Sequence, residues 1–241
     1  MTETMRMWIE ILFNLSYLVV VWGLVILMKT KLPEINPQKH RLASLFIWAF
    51  GLLALGDTGH VGFRVVAYTL GSLEAKPVIL GVPVSLVGFG ALSTAVTVTV
   101  FYMLMVFIWR ERFDKQLGWF GWFLLACGVV RLVVMAFPQN EWANLVAPYN
   151  WSLLRNAFLV LQGIGVLYLI LRDASSAGDR AFIWIGLMIA LSFAFYVPVI
   201  LWVHLVPTLG MLMIPKTCAY VAIAVIAYLD LFKLRVVVRT A

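Results

Sequence analysis

Residues Ile11–Met28 read ILFNLSYLVVVWGLVILM, a run without a single charge, and Lys29 and Lys31 follow it at once. A hydrocarbon layer takes about 20 apolar residues as a helix, because each residue advances about 1.5 Å and every backbone polar group must be satisfied within the segment. The run is too long for the apolar part of a cleavable leader, and its basic residues lie on the far side. The expectation is a retained first transmembrane helix.

Similar runs recur to the end of the chain. They predict helices over residues 8–28, 42–70, 79–109, 117–137, 149–172, 180–204 and 209–232. Polar or proline-containing breaks separate them: Lys29–Arg41 with Pro33 and Pro37, Glu74–Pro77, Arg110–Gln116, Pro138–Pro148, Ser175–Gly178 and Pro207–Gly210. Seven spans use nearly all of the 241 residues, so the expected fold is an all-α integral membrane bundle of seven transmembrane helices forming a single domain. Composition agrees. A chain that is 63% hydrophobic and 12% charged, with a mean hydropathy of +0.99, cannot hide that surface in one soluble core.

The formal charge of +7 would fit nucleic acid only if the basic residues formed a patch on a polar domain. Instead they are dispersed between apolar runs and read as topology signals, so no nucleic-acid partner is expected. Lys29, Lys31, Lys39, Arg41, Arg110, Arg112, Lys115, Arg172, Arg180, Lys233, Arg235 and Arg239 fall on one side, and only Arg6 and Lys76 on the other. Basic loops stay in the cytoplasm, which predicts an outside N-terminus and a cytoplasmic C-terminus. Cys127 and Cys218 both sit in apolar runs and offer neither a disulfide framework nor a CxxC pair.

Four of the eighteen basic residues remain: Arg64, Arg131, Arg155 and Lys216, each inside an expected helix. Counting from the outer helix ends at about 1.5 Å per residue puts all of them roughly 8–12 Å deep. A cation near the centre of a span costs on the order of 2.5–3.5 kcal/mol to insert, less near the interface. Snorkelling to the headgroups accounts for any one of them, but matched depth on four helices favours a shared polar layer. Glu10, Asn14 and Tyr17 form one stripe of helix one, and Asp57, His60 and Arg64 likewise share one face of helix two. Asn150, Asn156 and Gln162 accompany Arg155, and Thr217 and Tyr220 follow Lys216. With Glu10 and Asp57 as the acids, two positive charges are left over. The alternative is a closed ion-pair network, with Arg64 and Lys216 paired to Asp57 and Glu10.

The densest stretch is Gly56-Asp57-Thr58-Gly59-His60-Val61-Gly62-Phe63-Arg64. Asp57 and His60 are the candidate catalytic pair, the carboxylate orienting an imidazole that transfers a proton. A hydrogen-bonded polar knot is the bland counterpart. The glycines here, and Gly81, Gly88 and Gly90 on helix three, are expected to allow close helix packing, with local unwinding as the alternative. No metal is expected: the surrounding cations repel a divalent ion, and no HxxxH or HExxH pair occurs. Ser93, Thr94, Thr97 and Thr99 are expected to bond carbonyls of their own helix, and Trp119, Trp122, Trp142 and Trp151 to form interfacial belts.

Lys216 in a seventh helix invites comparison with the microbial rhodopsins. Helix three, from Ser85 to Trp109, has no acid to serve as counterion, and Tyr196-Val197-Pro198 departs from their sixth-helix pattern, so neither retinal nor another cofactor is expected. Pro138-Gln139-Asn140, Arg155-Asn156, Phe195-Tyr196-Val197-Pro198-Val199 and Ile214-Pro215-Lys216-Thr217, with the Gly-Asp-x-x-His element, resemble a family of uncharacterised bacterial multi-pass membrane proteins. The resemblance implies a bacterial inner-membrane location and no particular activity.

The leading expectation is an outward-facing cationic pocket. Arg64, Arg131, Arg155 and Lys216 hold the anionic head of a membrane lipid or other amphiphile, or a small anion. Glu10, Asn14, Asn156 and Tyr220 orient them, and Asp57 and His60 carry any chemistry. The alternatives are a proton-coupled transporter relaying from Asp57 to Asp230, and a non-catalytic receptor or sensor. Oligomeric state is not legible.

Overall fold

The computed structural model describes residues 3–79, 81–144 and 146–233, with side chains from residue 11 onward except at positions 79 and 82. Seven long helices account for most of it: α1 (Glu3–Lys31), α2 (His40–Thr69), α3 (Leu86–Arg112), α4 (Gly118–Ala136), α5 (Tyr149–Ala177), α6 (Arg180–Trp202) and α7 (Met213–Leu231). All seven are long and apolar enough to cross a membrane, as expected of a multi-pass membrane protein. The chain runs up and down. Arg112 at the end of α3 bridges Asp179 before α6 and Asp230 at the end of α7, so α1, α3, α5 and α7 all finish at the same end. That end is called here the C-terminal end of the bundle, and the opposite one the N-terminal end.

Two expected boundaries shift. Helix three begins at Leu86, and the residues before it form a short antiparallel hairpin, β1 (Val78–Ile79) and β2 (Val82–Pro83), with Gly81 at φ 82°. Pro83 supplies no backbone donor, and the Ser85 side chain accepts the Gly88 N–H at 3.1 Å and starts α3. The start of α7 moves from 209 to Met213, because Pro207–Leu212 forms a 3₁₀ turn. Pro198 sits inside α6 without ending it.

The C-terminal half is packed with aromatic rings. Phe46 and Phe50 of α2, Phe101 and Tyr102 of α3, and Phe182 of α6 are all buried, with edge-on contacts at 6.1 Å for Phe46–Phe182 and 5.7 Å for Phe50–Phe101. Tyr220 of α7 joins Phe101 at 5.4 Å. Beyond this core, at the C-terminal end, charges meet opposite charges: Arg41–Glu111 at 3.2 Å, Arg172–Asp173 at 2.8 Å, and Arg112 with Asp179 at 2.7 Å and Asp230 at 2.9 Å.

Gly56 and Gly59 of α2 and Gly90 of α3 serve close packing. A Cβ on Gly56 would overlap Thr97, one on Gly59 would lie 2.7 Å from the Ser93 hydroxyl, and one on Gly90 would lie 2.9 Å from the His60 Cα. Helix α2 stays continuous through its glycines, whereas Gly81, expected inside helix three, lies in the hairpin turn ahead of α3. Because Gly90 meets backbone, Gly90→Ala is expected to cost about 1–3 kcal/mol. Gly62→Ala, with nothing within 4 Å of its Cβ, should stay within about 1 kcal/mol of the parent. Thermal unfolding in detergent measures both; equal losses would remove the packing role.

Candidate functional site

On α4 the buried positions Gly121, Leu124, Leu125, Gly128, Arg131 and Met135 follow helical spacing, so the apolar face that must enter the bundle carries Arg131 with it. Only 1% of Arg131 is exposed. Its Nε donates to the Arg155 carbonyl at 2.9 Å, and one terminal nitrogen donates to the Ala95 carbonyl at 3.1 Å and to the Thr99 hydroxyl. The other reaches Asn156 Oδ1 at 3.4 Å. The guanidinium thereby ties α4 to α3 and α5. Every acceptor is neutral.

Arg155 enters from the first turns of α5, one residue before Asn156. Its Nη1 donates to Asn140 Oδ1 at 3.0 Å, and its guanidinium carbon lies 4.4 Å from the centroid of the Trp142 ring. Both partners belong to the connection between α4 and α5, which folds inward over the layer. Asn140 has no exposed surface; its Nδ2 donates to the carbonyls of Val134 at 2.7 Å and Phe137 at 3.0 Å, closing the end of α4. Trp142 Nε1 donates to the Met135 carbonyl at 2.9 Å.

Lys216 lies in the first turn of α7 and is buried. Its ammonium sits 4.2 Å from the Tyr196 ring centroid and 5.5 Å from that of Tyr220, a cation–π arrangement that offsets part of its desolvation. The Tyr196 hydroxyl donates to Asn156 Oδ1 at 3.0 Å, and the Tyr220 and Tyr102 hydroxyls are 2.9 Å apart. Lys216, Tyr196, Asn156, Arg131 and Arg155 are therefore one connected cluster drawn from α4, α5, α6 and α7. Among the described residues no carboxylate approaches Arg131, Arg155 or Lys216 within 4.0 Å, in contrast to the paired charges of the C-terminal end.

Asp57 forms a second group. It accepts from the Tyr17 hydroxyl at 2.6 Å and from Thr94 Oγ1 at 3.4 Å, joining α1, α2 and α3. Trp22 Nε1 donates to the neighbouring Thr58 hydroxyl at 3.0 Å. No described hydrogen bond joins Asp57 to His60, and the buried His60 Nδ1 has no partner, so the acid and the imidazole share a helix without forming a dyad. The pairing of Asp57 with Lys216 or Arg64 considered for a closed ion network is likewise not formed. Arg64 and Asn14 are half-buried and make no hydrogen bond to the other described side chains. The side chain of Glu10, and the tail residues Arg235 and Arg239, lie outside the described residues. His204 is exposed, its ring 4.3 Å from that of Tyr149. Among the described residues no three His, Cys, Asp or Glu side chains come together as metal ligands.

Asn140, Tyr196, Thr99, Tyr17 and Thr94 are the partners not picked out from sequence as site residues. Tyr17 falls on the stripe of Asn14, and Asn140 on the loop just before the helix that carries Arg155. Thr94, Thr97 and Thr99 do bond carbonyls of their own helix, at Gly90, Ser93 and Ala95, but Thr94 and Thr99 also serve Asp57 and Arg131. Trp119 and Trp122 are exposed as belt residues are, whereas Trp142 turns inward onto Arg155.

Because one guanidinium satisfies acceptors on two neighbouring helices, Arg131→Lys is expected to lose about 2–3 kcal/mol, its ammonium being unable to span them. Thr99→Val, which removes one acceptor, should cost about 1 kcal/mol. Unfolding equilibria in detergent check the order; a Lys variant as stable as the parent contradicts it. No protein-family model matches this chain, and neither a curated protein nor a solved structure shows significant similarity to it.

Proposed function

We propose that this protein is a bacterial inner-membrane protein, N-terminus outside, that binds an anionic group in the outer half of its helix bundle. The observation that carries this is the set of three buried cations, Arg131, Arg155 and Lys216, whose described partners are all neutral. Neutral acceptors satisfy N–H groups but leave the positive charge, and a buried charge without a counter-charge costs several kcal/mol. An anion entering the layer restores the balance. Two guanidiniums and an ammonium suit a phosphate or carboxylate, through forked donors and a point charge. The flanking surface is apolar, which favours an amphiphile whose head reaches the layer while its tail remains in lipid.

The aromatic core of Phe46, Phe50, Phe101, Tyr102 and Phe182 fills the other half of the bundle. It supports a site approached from one side rather than a path across the membrane. The polar inventory also suits binding better than proton transfer, since Asp57 is engaged by Tyr17 and Thr94 and stands apart from His60 in the hydrogen-bond pattern.

Purification from the bacterial membrane followed by mass spectrometry of retained lipids tests the proposal. Wild-type protein is expected to retain a phospholipid or prenyl phosphate, and Arg155→Ala to retain about tenfold less, a loss of about 1.4 kcal/mol of binding. Identical ligand content in the two proteins would refute the anion site.

A further inference from the structure

The cation cluster is closed. Arg131 is 1% exposed, and Arg155 is covered on one side by Asn140 and on another by the Trp142 ring. Arg155 is 9% exposed, and these two side chains take its Nη1 donor and one face of its guanidinium. Resting on the anion-binding function proposed above, we infer that Phe137–Asn144 is a cap over the site, with Asn140 a resident stand-in whose amide oxygen occupies the position of an oxygen of the bound anion.

The attachment of the segment suits a part that is seated but exchangeable. Asn140 Oδ1 gives Arg155 one neutral hydrogen bond at 3.0 Å, the kind of contact an anionic oxygen displaces, because charge-assisted bonds to guanidinium are roughly twice as strong. Within the segment Asn144 Nδ2 donates to Glu141 Oε2 at 2.9 Å. Beyond Asn140 it is anchored by Trp142 Nε1 on the Met135 carbonyl at 2.9 Å, by the Phe137 ring 5.9 Å from that of Trp151, and by Lys76 Nζ, which donates to Asn144 Oδ1 at 2.8 Å. Lys76 comes from the turn before β1, so this last link is a clasp between the two connections at the N-terminal end. The backbone of the segment lies directly on Gly88, where a Cβ would overlap the Trp142 carbonyl and come within 3.0 Å of that of Asn144. Glu141 takes a left-handed conformation, φ 51°, which a side chain other than glycine adopts at a conformational cost. The seated form is therefore held by contacts against a locally unfavourable backbone.

An anion entering at Arg155 would take over the donor that Asn140 now accepts from. Asn140 retains its own bonds to the Val134 and Phe137 carbonyls only while the segment keeps its present course, so displacement of the oxygen and movement of the segment are coupled. The ligand chemistry is a phosphate group, free or on a lipid.

Two probes separate those sources: inorganic phosphate titrated onto detergent-solubilised protein, and phosphatidylglycerol presented in nanodiscs. Association rates are measured for four forms. These are wild type, Asn140→Ala, Gly88→Ala, and a Lys76→Cys/Asn144→Cys pair in a background lacking Cys127 and Cys218, joined by a short cleavable thiol crosslinker. Asn140→Ala and Gly88→Ala are expected to associate at least tenfold faster than wild type. The crosslinked pair is expected to be at least tenfold slower, recovering when the linker is cleaved. A response to phosphatidylglycerol alone assigns the site to a lipid headgroup, and a response to both probes to the phosphate group as such. Binding that Arg155→Ala abolishes, yet whose rate the crosslink leaves unchanged, overturns the cap and keeps the site. No binding of either probe to any form, including Asn140→Ala, overturns the site itself. If Asn140→Ala or Gly88→Ala loses its helical circular dichroism, the crosslinked pair before and after cleavage decides alone.

Discussion

The fold of the N-terminal half depends on the guanidinium of Arg131. A fully buried arginine has five N–H donors and a charge, and in a bilayer there is no water to take either. Its partners are two acceptors on α3 and two on α5, so α4 is held at a fixed distance and rotation between them. Moving any of the three helices by an ångström strands a donor. The same requirement reaches further, because Asn156, once engaged, orients the Tyr196 hydroxyl, and the Tyr196 ring in turn carries Lys216.

The two ends of the bundle treat their charges differently. At the C-terminal end the arginines find carboxylates, Trp109 adds a donor to Asp173 at 2.7 Å, and Asp179 both caps α6 and holds Arg112. Such partly solvated pairs contribute little each, about 0–1 kcal/mol, and serve to staple helix ends above the aromatic core. In the N-terminal half the cations meet carbonyls, amides, a hydroxyl and aromatic faces. Arg131 finds acceptors there but no counter-charge, and Lys216 has ring faces in place of hydrogen bonds, which separates this layer from the staples at the other end. Asp57, bonded only by the neutral Tyr17 and Thr94, keeps a charge of its own, which offsets part of the positive excess from beyond ion-pair distance.

The helices were legible because length and hydropathy in lipid leave the backbone no other choice. The error at the third helix has the same origin. Val78, Ile79, Val82 and Pro83 extend its apolar run, and a short apolar stretch is helix or strand by hydropathy alone. Pro77 and Gly81 were the residues that marked the turn. The four cations within the expected helices were legible from charge counting; three of them are buried and converge, and Arg64, half-buried, does not join the described cluster. The inward positions of Asn140 and Trp142 were not legible, because a loop in sequence reads as surface. Nothing local says that this loop folds inward; that follows only from Gly88 on another helix leaving room for its backbone.

The sequence by itself determined the number of helices, their approximate ends, and the presence of more buried positive than negative charge, since each follows from the cost of placing polar groups in hydrocarbon. The tertiary structure decided which atoms answer those charges. Whether Arg155 meets an acid, a carbonyl or an asparagine from a neighbouring loop depends on helix rotation and on where side-chain-free surface lets backbones approach, and neither is encoded in the spacing along one helix. Asp57 and His60, three residues apart, show the difference. One is tied to α1 and α3, and the other keeps a buried nitrogen without a partner.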